Sequence, residues 1–207
     1  MVRSAYSEFT QQCEIMKQII LVGAGGHCKS CIDVIEQIDG WQIAGIIDRS
    51  ESGVTGVLGY PVVGCDDDLS ILRNQYDYAF VTVGQTRTVD LKLRLFSQLE
   101  SLGFNIPTLI SPKALVSKHA RIGVGTIIMH HALINAEAMI GRNCIINSKA
   151  LIEHDAVVKD HCHISTGATI NGGVVVGEKS FIGSNATSKQ DIFIQPNSFV
   201  KAGSVIK

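Results

Sequence analysis

The chain has 207 residues, 45% of them apolar, with 18 basic and 19 acidic side chains and a net charge of −1. That balance argues against a nucleic-acid-binding or anionic-membrane-binding role, and no apolar run is long enough for a membrane helix. The apolar content supports one large core or two small ones.

Residues 1–15 (MVRSAYSEFTQQCEI) lack the apolar stretch of a secretory signal. They read as a disordered or tag-like extension, 1–16, with Met16 as a candidate true start. Residues 17–106 then alternate strands and helices. QIILVG (18–23) is a buried strand, a helix runs from Gly26 to Ile38, and QIAGIID (42–48) is a second strand ending in an acid. A glycine-rich stretch with YPVV follows, then DDDLSILRNQ as a helix and DYAFVTVG (77–84) as a strand. TRTVDLKLRLFSQLESLG is a helix with Val89, Leu93, Phe96, Leu99 and Leu102 at helical spacing. PTLIS (107–111) leads into the second half. This order predicts a small α/β domain with a parallel sheet.

The turn Gly23-Ala24-Gly25-Gly26-His27 follows a strand and opens a helix. Glycine there lets the backbone approach a phosphate, and the helix N-terminus offers free N–H groups. Asp48, ending the next strand, is placed to accept hydrogen bonds from a ribose or base. Gly23, Gly25, Gly26, His27 and Asp48 are therefore the candidate nucleotide contacts; a purely structural turn is the alternative. Cys28 occupies the third glycine place of the dinucleotide fingerprint, which disfavours a nicotinamide site. Arg87 and Arg94 lie near the next strand end, facing either a phosphate or solvent.

Six cysteines without framework spacing predict a reducing, cytoplasmic setting. Cys28 and Cys31 read as small helix residues rather than a redox pair. Cys144 and Cys162 should stack as buried small residues.

From Leu109 onward the chain repeats every six residues without insertion. The second place of each unit (Ile110, Val116, Ile122, Ile128 and so on to Ile206) is Ile or Val in sixteen of seventeen units. The last place is mostly Ala, Ser or Cys. Such a period implies a parallel β-helix. Three units close a triangular coil, and coils stack about 4.8 Å apart, giving a prism roughly 25 Å long. Residues 18 apart then form columns. Ser188 is the one polar intrusion, where a looser coil is expected. Of His119, His130, His131, His154, His161 and His163, no two are 18 apart, so no metal site is expected. His130 and His131 read as turn or subunit-contact residues.

The units Ile122-Gly123, Ile140-Gly141, Val176-Gly177 and Ile182-Gly183 resemble those of the hexapeptide-repeat acyltransferases. That resemblance supplies the left-handed sense of the coil. The stretches ILVGAGGH, IIDRS and INSKALIEHDAVVKDHCHISTGATINGGVVVGEKSFIGSN resemble the nucleotide-sugar N-acetyltransferases of bacillosamine-type pathways and the related sialic acid O-acetyltransferases. The implied fold is an α/β Rossmann-like βαβ domain (17–106) that binds a nucleotide sugar, then an all-β left-handed parallel β-helix of about five coils (107–207).

The resemblance implies roles as well. His154 would be the general base and Asp155 would orient its imidazole. His163 would contact the acetyl-thioester region of acetyl-CoA, and the Gly172 N–H would polarise the thioester carbonyl. Asn147 would lie near the acceptor sugar. The implied assembly is a homotrimer with acetyl-CoA in the groove between prisms. The implied reaction is acetylation of an amino group on a nucleotide-linked sugar, UDP-linked by the same resemblance, in bacterial surface glycan biosynthesis. O-acetylation of sialic acid fits the same layout, and a non-catalytic trimeric partner of a biosynthetic enzyme is the third reading. Many relatives carry a further segment with Pro-Ala-Lys; the chain stops at Val205-Ile206-Lys207, so that segment's contacts to the far end of CoA are not expected.

Overall fold

The computed structural model describes residues 16–85 and 88–207; the extension 1–15 and Arg87 lie outside the described residues. The first unit comprises β1 (Lys17–Val22), α1 (Gly26–Ile35), β2 (Trp41–Ile47), β3 (Gly56–Val57), β4 (Tyr60–Gly64), α2 (Leu69–Leu72), β5 (Tyr78–Val81) and α3 (Asp90–Ser101). Its sheet order is β3-β4-β2-β1-β5. Strands β4, β2, β1 and β5 are parallel, and β3 hairpins antiparallel onto β4. Ile19 to Val22 of β1 are wholly buried, as a central parallel strand covered on both faces requires.

Three expectations are corrected here. Helix α1 stops at Ile35 rather than Ile38. Helix α2 is a single turn, entered through a 3-10 turn in which Asp68 accepts the Cys65 N–H at 2.8 Å. Helix α3 starts only at Asp90, whose N–H is taken by Thr88 Oγ1 at 3.1 Å. Its buried stripe is Lys92, Leu95, Phe96 and Leu99, with Leu93 only half-buried.

The second half is a prism of two-residue strands from Leu109–Ile110 to Val205–Ile206, one per hexapeptide, in three parallel sheets. We call the sheet containing Leu109–Ile110 the first face, that containing Leu115–Val116 the second, and that containing Arg121–Ile122 the third. The register pairs Ile110 with Ile128, Ile146, Ile164, Ile182 and Val200 in succession. Each strand thus turns its second place inward, and Ile128, Ile134, Ile146, Ile152 and Ile164 are at most 1% exposed.

The fifth place of the units from Gly125 to Gly203 adopts a left-handed backbone conformation, ten times in non-glycine residues with φ between 52° and 61°. Such a residue costs roughly 1 kcal/mol. In return its N–H reaches the carbonyl of the coil before, as Asp155 does to Ala136 (3.2 Å) and His161 to Arg142 (2.8 Å). The sixth place turns inward again, and only Ala, Cys or similar side chains fit there, as at Cys144, Ala150, Ala156 and Cys162. The ladder breaks locally at Ser188: its Oγ accepts the Asn171 N–H at 2.9 Å, and its carbonyl accepts Asn171 Nδ2 at 2.5 Å.

The first face carries the N-terminal domain. Leu109, Ile127, Met129 and Ile145 share one core with Cys28, Cys31, Ile32 and Ile35 of α1. Polar contacts fasten the rim: His130 Nε2 to Asp33 (2.8 Å), and Arg142 to Glu100. His130 is therefore a contact within the chain, as its Nδ1 to Ser111 Oγ distance of 2.6 Å also indicates.

Candidate functional site

In an open parallel sheet, ligands bind beyond the carboxyl ends of the strands, where the connections diverge to opposite sides. Here that point lies between β1 and β5. A cleft of about 670 Å³ opens there, lined by Gly23–His27 after β1, Asp48 and Arg49 after β2, and Val83 and Gly84 after β5. Gly23 is obligatory: its φ is +111°, and a Cβ would stand 2.5 Å from Val83 Cγ2. Gly25 and Gly26 face open space, which leaves the N-terminal amides of α1 approachable. Asp48 Oδ1 holds the Ala24 N–H at 3.4 Å, so it braces the turn from the next strand. The structure thus brings Gly23, Gly25, Gly26, His27 and Asp48 to one cleft. Arg94 instead pairs with Asp66 at 3.2 Å.

On the prism, His154 and Asp155 occupy the corner between the second and third faces. The left-handed conformation at Asp155 (φ 61°) accompanies a 2.8 Å contact from its Oδ2 to His154 Nδ1. The carboxylate raises the His154 pKa above its ordinary value, chiefly through that hydrogen bond. A carboxylate only accepts, so the proton sits on Nδ1 and Nε2 is left free. One coil on, a Cβ at Gly172 would lie 2.8 Å from His154 Cε1 and 2.9 Å from Nε2. The ring therefore lies against Gly172, and a side chain there would push it aside. At the fourth place of other units some N–H groups are taken, Arg142 by Asp160 at 2.9 Å and Ser148 by Asn147 at 2.7 Å, while others, such as Thr166 and Ser184, make no hydrogen bond among the described residues. The Gly172 N–H makes no hydrogen bond among the described residues.

His163 and Asn147 lie elsewhere, on the first face and at its edge with the second. His163 is buried beneath the N-terminal domain, with Nδ1 2.7 Å from the Gln85 carbonyl and Nε2 3.3 Å from Asn147 Nδ2. Burial pushes its pKa down to about 4. So one chain brings His154, Asp155 and Gly172 together, and His163 with Asn147, but not the two groups with each other.

The sequence reading missed the charged seam between the domains. Lys92 of α3 is 2% exposed and donates to the carbonyl and side-chain oxygens of Asn143. Desolvation lowers its pKa to about 8. His27 lies close by, pushed down to about 3 by burial and then by the neighbouring His163 and Lys92. Phe96 fills the space that Gly125 leaves open and meets His161 edge-on at 6.0 Å. Lys92, Phe96 and Glu100 stand at i, i+4 and i+8 on α3, a spacing that could have flagged one docking face. Cys28, Cys31, Cys144 and Cys162 are buried free thiols. No metal-binding cluster occurs among the described residues.

Residues 18–92 match the family model described as the PglD N-terminal domain. PerB from Caulobacter crescentus, solved with CoA and GDP-perosamine, is 34% identical, with a TM-score of 0.85 over 92% of this chain and 88% of that one. The acetyltransferase domain of PglB from Neisseria gonorrhoeae is 30% identical, with a TM-score of 0.84 over 92% of this chain and 91% of that one. The chain belongs to the hexapeptide-repeat nucleotide-sugar N-acetyltransferases. It is an acetyl-CoA-dependent acyltransferase, and its fold is the expected α/β domain followed by a left-handed parallel β-helix. WeeI from Acinetobacter baumannii, 20% identical with a TM-score of 0.70 over 92% of this chain and 96% of that one, shares the fold. Among curated proteins none is similar enough to match. Membership in this family sets aside the non-catalytic reading. No described helix is long and apolar enough to cross a membrane.

Proposed function

We propose that the enzyme transfers the acetyl group of acetyl-CoA to the amino group of a nucleotide-linked sugar, with His154 as general base. One observation carries this: a histidine braced through Nδ1 by Asp155 leaves its Nε2 free beside Gly172, whose N–H makes no hydrogen bond among the described residues. In the reaction the amine nitrogen bonds to the thioester carbon while Nε2 removes its proton. The Gly172 N–H stabilises the charge developing on the carbonyl oxygen. The C–S bond then breaks, and the CoA thiolate leaves with the proton that His154 returns. Asp155 stabilises the imidazolium formed in between.

The cleft between β1 and β5 holds the nucleotide, with the diphosphate at the amides of Gly25 and Gly26 and the ribose or base toward Asp48. Asn147 meets the acceptor sugar. Because Asn147 and His154 are separated in one chain, the working site is assembled between neighbouring prisms of a homotrimer. Exposed apolar outward residues such as Leu115 (67% exposed), Val205 (66%) and Phe193 (56%) supply the surface for that packing. Free thiols and the use of acetyl-CoA favour a cytoplasmic step in surface glycan synthesis.

The bacillosamine-type resemblance favours a UDP-linked acceptor, whereas the complex of PerB with GDP-perosamine favours a guanosine one. A thiol-release assay with acetyl-CoA against UDP-, GDP- and dTDP-linked amino sugars, beside free and CMP-linked sialic acid, tests the reading. Turnover with an amino sugar is expected; turnover with sialic acids alone contradicts it.

A further inference from the structure

We propose that Lys92 is a positioning residue: its buried ammonium, clasped by Asn143, fixes at which coil of the prism the N-terminal domain docks. The docking itself is independent of the reaction proposed above; only its kinetic consequence rests on that reading.

A repeating prism poses a register problem to anything that packs on it, because its coils recur about every 4.8 Å. Under the N-terminal domain the outward residues are Leu109, Ile127 and Ile145, at the same place in three successive coils and at most 1% exposed. Apolar burial is non-directional. A row of such similar side chains therefore holds the domain to the face without choosing a height. The rim pairs, His130 with Asp33 and Arg142 with Glu100, are partly open to solvent and correspondingly weak.

The corner between the third and first faces breaks the repeat. Its fifth places, 18 residues apart, are Gly125, Asn143, His161, Lys179 and Asn197. Lys92 of α3 donates to both the carbonyl and the side-chain oxygen of Asn143, which is 1% exposed. One helical turn on, about 6 Å along α3, Phe96 fills the room at Gly125, where a Cβ would collide with its ring. A helical turn thus spans about one coil, and the two contacts read adjacent coils. Shifted one coil toward the C-terminus, Lys92 would meet His161 and Phe96 would meet the Asn143 side chain. Shifted one coil the other way, Lys92 would meet Gly125, which has no side-chain acceptor.

No carboxylate pairs with Lys92 among the described residues. An ammonium taken out of water without a counter-ion costs stability, and an apolar side chain of the same length would hold the seam at least as well. What the ammonium adds is direction. It only donates, so Asn143 Oδ1 has to face it. The amide is fixed in that sense, and its Nδ2 donates to His161 Nδ1 at 3.1 Å. Leu91, the residue before Lys92, lines the cleft beyond β1 and β5. The pin therefore carries that cleft to one set height on the prism.

The test compares the full unaltered chain with Lys92→Met/Asn143→Gly. Methionine fills the space of the lysine stem, and glycine suits the left-handed backbone at 143 (φ 52°). Asn143→Asp, which keeps an acceptor for Lys92, is the conservative control. Nitroxides at the exposed positions Ser97→Cys on α3 and Gln195→Cys on the prism read the docking height by pulsed electron resonance. The labelled chain has a Cys13→Ser/Cys65→Ser background and is diluted with unlabelled chain. One narrow distance is expected for the pinned chain and for Asn143→Asp, and a distribution widened toward one coil, about 5 Å, for the double variant. The kcat of the double variant should fall ~10-fold, with both KM values within about twofold, because its cleft is intact but misplaced. A single narrow distance in the double variant, whatever its melting temperature, overturns the proposal, as does a kcat loss shared by Asn143→Asp. Nitrogen NMR of the unaltered protein needs no variant to fold: an Asn143 amide oriented by Lys92 leaves the His161 proton on Nε2, and a Nδ1–H tautomer overturns the pin. Full activity in His154→Ala would instead overturn the reaction and leave the label distances as they stand.

Discussion

The prism and the N-terminal domain are built by opposite rules. In the prism, each residue's environment is fixed by its place in a unit of six, so neighbours in space are 18 apart in sequence. In the N-terminal domain, and above all at its seam with the prism, contacts join residues far apart with no period. Lys92 meets Asn143, and Gln85 meets His163. In the proposed reaction the periodic half supplies a rigid rail for the base and the donor to the thioester, and the aperiodic half sets where the acceptor sits against it.

The comparison predicts that substitutions on the rail break chemistry while leaving the fold intact. Gly172→Ala should show the larger effect. Its Cβ would displace the His154 ring, which stands 2.8 Å away, and a shift of the base costs roughly 100-fold in kcat. Melting temperature and acetyl-CoA affinity should change little. A Gly172→Ala enzyme with normal kcat would separate His154 from the acyl-transfer step.

Gly23→Ala tests the other region. Its side chain would strike Val83 at a backbone angle that alanine rarely adopts. The cost of such strain is about 1–3 kcal/mol, read as a lower melting temperature and a weakened nucleotide-sugar KM with acetyl-CoA KM unchanged.

Asp155→Asn should act more gently. The carboxylate raises the His154 pKa, and the base works only when neutral, so activity in the unaltered enzyme climbs with pH through that raised value. Removing the charge should shift the acid limb of kcat/KM to lower pH and lower kcat on the plateau by about tenfold. An unmoved limb would mean that another group titrates.

The seam should also govern acid stability. Folded His163 titrates near 4 and His27 near 3, against 6.5 when unfolded. The unfolded chain therefore binds protons first. Stability is complete above pH 6.5 and is lost as pH falls from there toward 4, by about 3 kcal/mol for His163 alone. Denaturant melts at several pH values check this, and His163→Phe should flatten the slope.

What the sequence made legible follows the same division. The columns through Ile110, Val116 and Ile122 could be written down because the repeat has no insertion, and the register matches them strand for strand. The local break at Ser188 was legible for the same reason: one polar side chain among sixteen apolar ones has to find a partner, and it takes the Asn171 N–H. The glycine turn and Asp48 were readable because a strand end and a helix start fix their relation. Lys92 was not, since a lysine on an amphipathic helix reads as solvated until the prism is laid against it. His130 read as a possible subunit contact because its partner, Asp33, lies 97 residues away. The contact of His163 with the Gln85 carbonyl was not legible either, because the two lie 78 residues apart in different domains.

The most direct measurement is thiol release from acetyl-CoA with the nucleotide-sugar panel, run on the unaltered enzyme and on His154→Ala. The account predicts turnover of an amino sugar that falls at least ~100-fold in the variant, with folding and acetyl-CoA binding retained. Equal turnover in both proteins would contradict it.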